Sequence, residues 1–156
     1  MKKFFQSIFE YFILFFIYGG VYFIIECVYK GALSDYRMFM LGGIIGCLIG
    51  LVNNIFTFDT DILLQGLFGA LTVTLAEAVL GYQWNIVGGM GIWDYSALPF
   101  SAVNGQVNLM FFAAWIFLSI ICVVIDDMIN YRILKNQPAP YYKLFGKTIF
   151  RMKSHV

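Results

Sequence analysis

Four stretches of this chain are apolar for about the length a helix needs to cross a bilayer, roughly 20 residues. They run from about Phe4 to Tyr29, from Met38 to Phe56, from Ile62 to Tyr82 and from about Val107 to Ile125. Only Gln6, Ser7, Glu10 and Glu26 interrupt the first; Glu77 lies near the end of the third, and Asp126-Asp127 stops the fourth. Hydrophobic residues make up 61% of the 156 and charged ones only 12%, against about a quarter charged in a soluble domain. A water-exposed fold of this size buries only about 70% of the surface its unfolded chain exposes, so the expected solvent is lipid. The expected fold is all-α: an integral membrane four-helix bundle with a long extracytoplasmic loop between helices 3 and 4. Residues 1–130 read as one four-span domain and 131–156 as a basic cytoplasmic tail. The Met-Lys-Lys start mimics a signal peptide, but the run is too long and no small-residue cleavage site follows, so it reads as an uncleaved span.

Loop charges give the orientation. Lys2, Lys3, Arg132, Lys135, Lys143, Lys147, Arg151 and Lys153 fall on one side of a four-span chain, eight of its ten bases. That side is expected to be cytoplasmic, with both termini there in a multi-pass protein of the cell membrane. The third loop, from Gly81 to Gln106, then faces outward and carries no Lys or Arg. It exceeds the 12–15 residues beyond which loops are commonly functional or disordered. Its tryptophans, tyrosines and glycines suit a lid folded onto the bundle mouth.

Several chemistries are excluded. Cys27, Cys47 and Cys122 lie far apart in apolar runs and read as packing residues. The one histidine, His155, is next to last, so no zinc site or histidine triad is expected. No phosphate-loop motif is present, no cofactor is expected, and an ATP-driven role would need its ATPase on another chain. A net charge of +1 gives no reason to expect nucleic acid. The expected partners are membrane lipid and a second copy or partner membrane subunits.

The orientation gathers polar groups at the outer ends of the spans. Glu26 lies one turn before the end of span 1, Arg37 opens span 2, Glu77 is late in span 3, and Asp94 is in the outer loop. Asn104, Gln106 and Asn108 lead into span 4 from the same side. Ionisable groups at such depth usually face a bundle interior or a wet cavity. Each also has a plain structural reading: Glu26 and Glu77 snorkelling to the interface, Arg37 as a flanking base, Asp94 as a solvated acid beside aromatic anchors. On the other side Asp59, Asp61, Asp126 and Asp127 suit either a divalent cation or helix capping and salt bridges to the basic tail, and the second is favoured. Gly42, Gly46 and Gly50 form one small-residue stripe, and Gly66, Ala70 and Thr74 another. The short loop between spans 2 and 3 predicts that these pack as a tight antiparallel hairpin, with dimerisation as the alternative.

The order of motifs carries a resemblance. FIIECVY ends span 1, RMFMLGG opens span 2, TLAEAV lies in span 3, and WDYSALPFSAVNGQVNL precedes a span containing Trp115. Together, over about residues 12–125 and without the tail, they resemble the CmpB-like family described as putative ABC-transporter type IV. The resemblance implies a membrane role and points to Glu26, Arg37, Glu77, Trp93, Asp94, Tyr95 and Ser96. Asn104 and Gln106 complete the candidate substrate-binding set. The first functional reading is a small permease-like protein with a polar site at its outer mouth for a cation or polar solute. The alternatives are an intramembrane enzyme acting on a lipid-linked substrate, for which no nucleophile motif speaks, and a membrane-assembling structural or effector protein.

Overall fold

A computed structural model of the chain describes residues 2–153, with side chains described from residue 8 onward apart from Val52; His155 lies outside the described residues. Four helices form in the order expected: α1 (Lys2–Lys30), α2 (Tyr36–Asn53), α3 (Ile62–Gly81) and α4 (Leu109–Met128). Their ends have local causes. Gly31, at φ +64°, closes α1, and the Asp35 carboxylate accepts the Arg37 amide at 2.8 Å as α2 begins. Asp61 caps α3 through the Leu63 amide at 2.9 Å, and Asn108 caps α4 through the Met110 amide at 2.8 Å. Each cap satisfies a donor that the first helical turn leaves unpaired. Wider π-type turns, Tyr82–Val87 and Ile129–Ile133, extend α3 and α4. Among the described residues three helical stretches are long and apolar enough to cross a membrane: Ile8–Lys30, Ile62–Val87 and Leu109–Ile133. The apolar part of α2, Tyr36–Leu51, is shorter.

The glycine stripes do pack within the chain, but not against each other. Gly42 lies against Tyr22 and the Tyr18 carbonyl, and Gly46 lies against the Tyr18 ring, so α2 packs closely on α1. Gly66 meets Ile116 and Ile120, and Gly69 meets Ser119, so α3 packs on α4. The tight α2–α3 hairpin expected from the short loop is therefore replaced by two close pairs, α1–α2 and α3–α4. Loop length sets which helices are neighbours in sequence, but the direction of the small residues decides which backbones approach. A side chain at Gly46 would occupy the space of the Tyr18 ring. The pairs join through a core that includes Tyr22, Leu41, Ile45, Val73 and Trp115.

The chain is mostly helical rather than all-α. Strands β1 (Ser101–Ala102) and β2 (Val107–Asn108) make one small hairpin, and β3 (Tyr141–Leu144) and β4 (Lys147–Arg151) make another in the tail. The second turns through Phe145 and Gly146, both at positive φ, the geometry that matches the twist of paired strands in a two-residue turn. Tyr142 and Met152 are buried with the main core, so the tail lies against the bundle. The 82–108 segment sits at one end, here called the lid end, and the tail at the other.

Candidate functional site

At the lid end Glu77 is almost fully enclosed, with 1% of its surface exposed. Three neutral donors from three different elements reach it. The Trp115 indole of α4 donates to Oε2 at 3.0 Å. The Tyr22 hydroxyl of α1 donates to Oε1 at 3.3 Å, and the Tyr95 hydroxyl from the 88–100 segment at 3.4 Å. Aromatic rings wall the carboxylate: Tyr22 stacks on Trp115 at 5.4 Å, and Tyr95 on Phe111 at 4.5 Å. Among the described residues Glu77 has no basic partner. Glu26 follows Tyr22 by one turn on α1, is buried, and lies within electrostatic reach of Glu77. Its Oε2 forms an ion pair with Lys30 at 3.1 Å and has no hydrogen-bond partner among the described residues.

The segment above this site is held by a separate polar net. Asn85, in the π-type turn after α3, donates to the Gln106 side chain at 2.7 Å and to the Trp93 carbonyl at 3.0 Å, while its Oδ1 accepts the Ile92 amide at 2.7 Å. The Trp93 indole donates to the Gln106 carbonyl at 3.1 Å, and Gln106 Nε2 to the Asn104 carbonyl at 3.1 Å. Lys30 donates to the Ile92 carbonyl at 2.9 Å, tying the end of α1 to the same segment. Gly105, at φ +78°, approaches Asp94 and Ser96 too closely for any side chain, and its carbonyl accepts the Tyr95 amide at 2.7 Å. Ile92, Trp93 and Tyr95 are consequently buried. The long loop is a lid tucked into the bundle mouth.

The sequence-selected residues thus divide. Tyr95 hydrogen-bonds Glu77 and Glu26 lies within electrostatic reach of both, while Trp93, Asn104 and Gln106 belong to the polar net that holds the lid. Asp94 and Ser96 are exposed, and the Ser96 amide at 2.8 Å holds the Asp94 carboxyl below its ordinary range. Arg37 pairs with its neighbour Asp35 at 3.0 Å rather than with the buried acids; Lys30 is the base that meets Glu26. Tyr22, Asn85, Phe111 and Trp115 fall outside the sequence-selected set, Trp115 entering there only as a mark of the family pattern. The signal for Tyr22 is its place four residues before Glu26 on the face that also carries Tyr18, Leu14 and Glu10, all of them buried.

The opposite end buries carboxylates differently. Asp126 accepts Asn53 at 2.8 Å and Asn130 at 3.2 Å, and Asn130 also donates to Glu10 at 2.8 Å. Asp127 accepts Asn53 at 3.1 Å, Gln137 at 3.3 Å and the Tyr142 hydroxyl at 3.0 Å. Asp61 combines its cap with the Phe145 amide. Asp59 pairs with Lys143 and accepts Tyr141 at 2.9 Å, contacts that hold its carboxyl below the ordinary value and the Lys143 ammonium above its own. Capping and tail pairing therefore account for Asp59 and Asp61, whereas Asp126 and Asp127 are buried among carboxamides and a tyrosine. Among the described residues no group of three or more His, Cys, Asp or Glu is placed to hold a metal.

No curated protein and no solved structure matches the chain. The family model described as "Putative ABC-transporter type IV" matches residues 13–152. The match takes in the tail, which the motif resemblance had left out, and runs through both ends of the bundle. With most of its length covered, the chain belongs to this CmpB-like family.

Proposed function

We propose that this is a permease-like, multi-pass protein of the cell membrane, with both termini cytoplasmic, whose lid-end site takes a cation or a polar cationic solute. Residues 1–130 are then the membrane domain and 131–156 its cytoplasmic tail. The family description and the three long apolar helices support the membrane and transport part of this reading. The observation that carries the site is Glu77, a buried carboxylate with three neutral donors and no basic partner among the described residues. A buried charge left unneutralised is expensive, and a proton or an incoming cation offsets that cost. At about 4 Å and an effective dielectric near 20 the attraction is about 4 kcal/mol. The surrounding rings add cation–π attraction of about 0.5–2 kcal/mol.

Glu77 is the binding group, with Tyr22, Tyr95 and Trp115 orienting its two oxygens. Glu26 supplies a second negative charge, partly balanced by Lys30. Trp93, Asn104 and Gln106 keep the lid seated; Asp94 and Ser96, exposed, and Arg37, half-buried, would meet a solute arriving from outside. Movement across the membrane requires lid opening, and any ATP-driven step requires an ATPase and partner subunits on other chains.

The test is uptake and binding of tetramethylammonium by the full chain in proteoliposomes, compared with Glu77→Gln. The variant keeps the size, and its amide stays paired with Oε1 accepting the Trp115 indole and the NH2 donating to the Tyr22 and Tyr95 oxygens, so it is expected to insert and fold while losing at least tenfold in affinity, about 1.4 kcal/mol. Equal binding by both proteins would refute the site.

A further inference from the structure

At the tail end, where α2, the α2–α3 loop, α3, α4 and the tail converge, a cavity of about 230 Å³ is lined by residues that include Asn53, Gln65, Asp127 and Gln137. Its carboxamides are committed in one sense. Asn53 donates its NH2 to the Asp126 carboxylate at 2.8 Å and to the Asp127 carboxylate at 3.1 Å. Gln137 donates to the Asp127 carbonyl at 2.9 Å and its carboxylate at 3.3 Å, and Gln65 to the Thr60 carbonyl at 3.1 Å. Carboxylates and carbonyls only accept, so the nitrogen of each amide is fixed against its partner and the oxygen is left over. None of these three amide oxygens has a hydrogen-bond partner among the described residues, and none is sealed from the surface. Gln65 is itself only 5% exposed, so the cavity is the space left for its open oxygen.

The charge around the cavity has the matching sign. Asp126 and Asp127 are buried, and among the described residues neither forms an ion pair; Lys143 pairs with Asp59 instead. Open oxygens and unpaired acids disfavour an anion. A neutral solute would bring acceptors of its own, for which these carboxamides keep no donor. Ammonium and guanidinium groups carry donors and no acceptor. The volume far exceeds the ~30 Å³ that one water takes in the liquid, which leaves room for several non-hydrogen atoms. Phe56 and Phe58 line the same space, and aromatic rings attract cations. We infer that the tail-end cavity binds a small organic cation bearing N–H donors, held by the oxygens of Asn53, Gln65 and Gln137 and by the charge of Asp127. This site lies at the opposite end from Glu77 and does not rest on the role proposed for that acid. Tetramethylammonium, which has no N–H, suits the aromatic lid-end site and not this one.

The experiment uses the full chain carrying Glu77→Gln, which removes the lid-end charge, in non-ionic amphipol. Saturation-transfer NMR titrates methylguanidinium, its neutral isostere methylurea, and tetramethylammonium. Methylguanidinium is expected to bind at least tenfold more tightly than either of the others. Asp127→Asn keeps the size and still accepts from Asn53 and Gln137, and should weaken methylguanidinium at least fivefold. Thr57→Trp, at an exposed position on the cavity wall, should abolish binding by filling the opening while leaving the carboxamides in place. Gel filtration and circular dichroism establish that the variants remain folded, and the comparison of the three probes needs no tail-end variant. Equal binding of methylguanidinium and methylurea overturns the inference, as does methylguanidinium binding that neither Thr57→Trp nor Asp127→Asn moves. Displacement of methylguanidinium by equimolar potassium would make this a site for inorganic cations and overturn the ligand class. The lid-end charge is absent throughout, so each of these results stands apart from the fate of the Glu77 site.

Discussion

Glu77 at the lid end and Asp127 at the tail end are both buried carboxylates with three donors, yet their surroundings differ in kind. Around Glu77 the donors are two phenols and an indole whose rings form the wall. Around Asp127 and Asp126 they are mainly carboxamides, Asn53, Asn130 and Gln137, joined by Tyr142 from the tail. The carboxamide net links α2, α4 and the tail through short polar arms, and beside it a polar cavity of about 230 Å³ is lined by residues that include Asn53, Gln65, Asp127 and Gln137. The aromatic wall satisfies Glu77 and encloses it, leaving 1% of its surface exposed. The first arrangement fastens the tail to the bundle; the second leaves an acid with neutral donors alone, the feature on which the cation reading rests.

The comparison is broken most sharply at the two acids. Glu77→Gln should lower tetramethylammonium affinity at least tenfold with little change in thermal stability in detergent. Asp127→Ala should do the opposite, leaving affinity within about twofold. It removes charge-assisted bonds worth about 1.5–3 kcal/mol each, so its melting temperature should fall clearly. If the two variants exchange these effects, the assignment of roles to the two ends is wrong.

Smaller effects sharpen the contrast. Gln106→Leu keeps the volume but removes the acceptor for Asn85 and the donor to Asn104. Leaving buried partners unpaired costs about 1–3 kcal/mol, spent locally, so amide exchange at Trp93–Tyr95 should quicken while the tail stays protected. Uniform quickening along the chain would show that the lid is not an independent unit.

The smallest effect concerns the exposed tail anchor. Asp59 is held below its ordinary value of 3.8, so its contribution is present above that pH and lost as pH falls through its lowered value. Lys143 is held above its ordinary 10.5, so its contribution is present below that pH and lost as pH rises through its raised value. Fluorescence transfer between labels at Thr57→Cys and Lys147→Cys should therefore be flat between about pH 4 and 10 and decline modestly outside. Such exposed pairs contribute little, and a large change at neutral pH would contradict the anchor.

Much of the scaffold was legible because hydrophobicity and end-capping act locally. Asp61 and Asn108 mark helix starts in the sequence as they do in space. The convergence of Glu26, Glu77 and the outer loop followed from counting spans. Side-chain direction was not legible: Gly42 and Gly46 gave a spacing without saying that Tyr18 and Tyr22 would fill it. Arg37 found its acid two residues away because a local pair needs no tertiary packing, and Lys30 took the place expected for it. The tail hairpin stayed hidden because its strands are short, and its order comes from Tyr142 and Met152 docking on a bundle that the tail sequence alone does not describe.

Cation binding at Glu77 leaves a spectroscopic signature that difference infrared spectroscopy reads on adding tetramethylammonium to the full chain. A carboxylate that takes up a cation changes its stretching bands. Difference bands are expected in the wild-type protein that vanish in Glu77→Gln and persist in Asp126→Asn. Bands that survive Glu77→Gln unchanged, or that disappear only in Asp126→Asn, would place the cation elsewhere and contradict binding at Glu77.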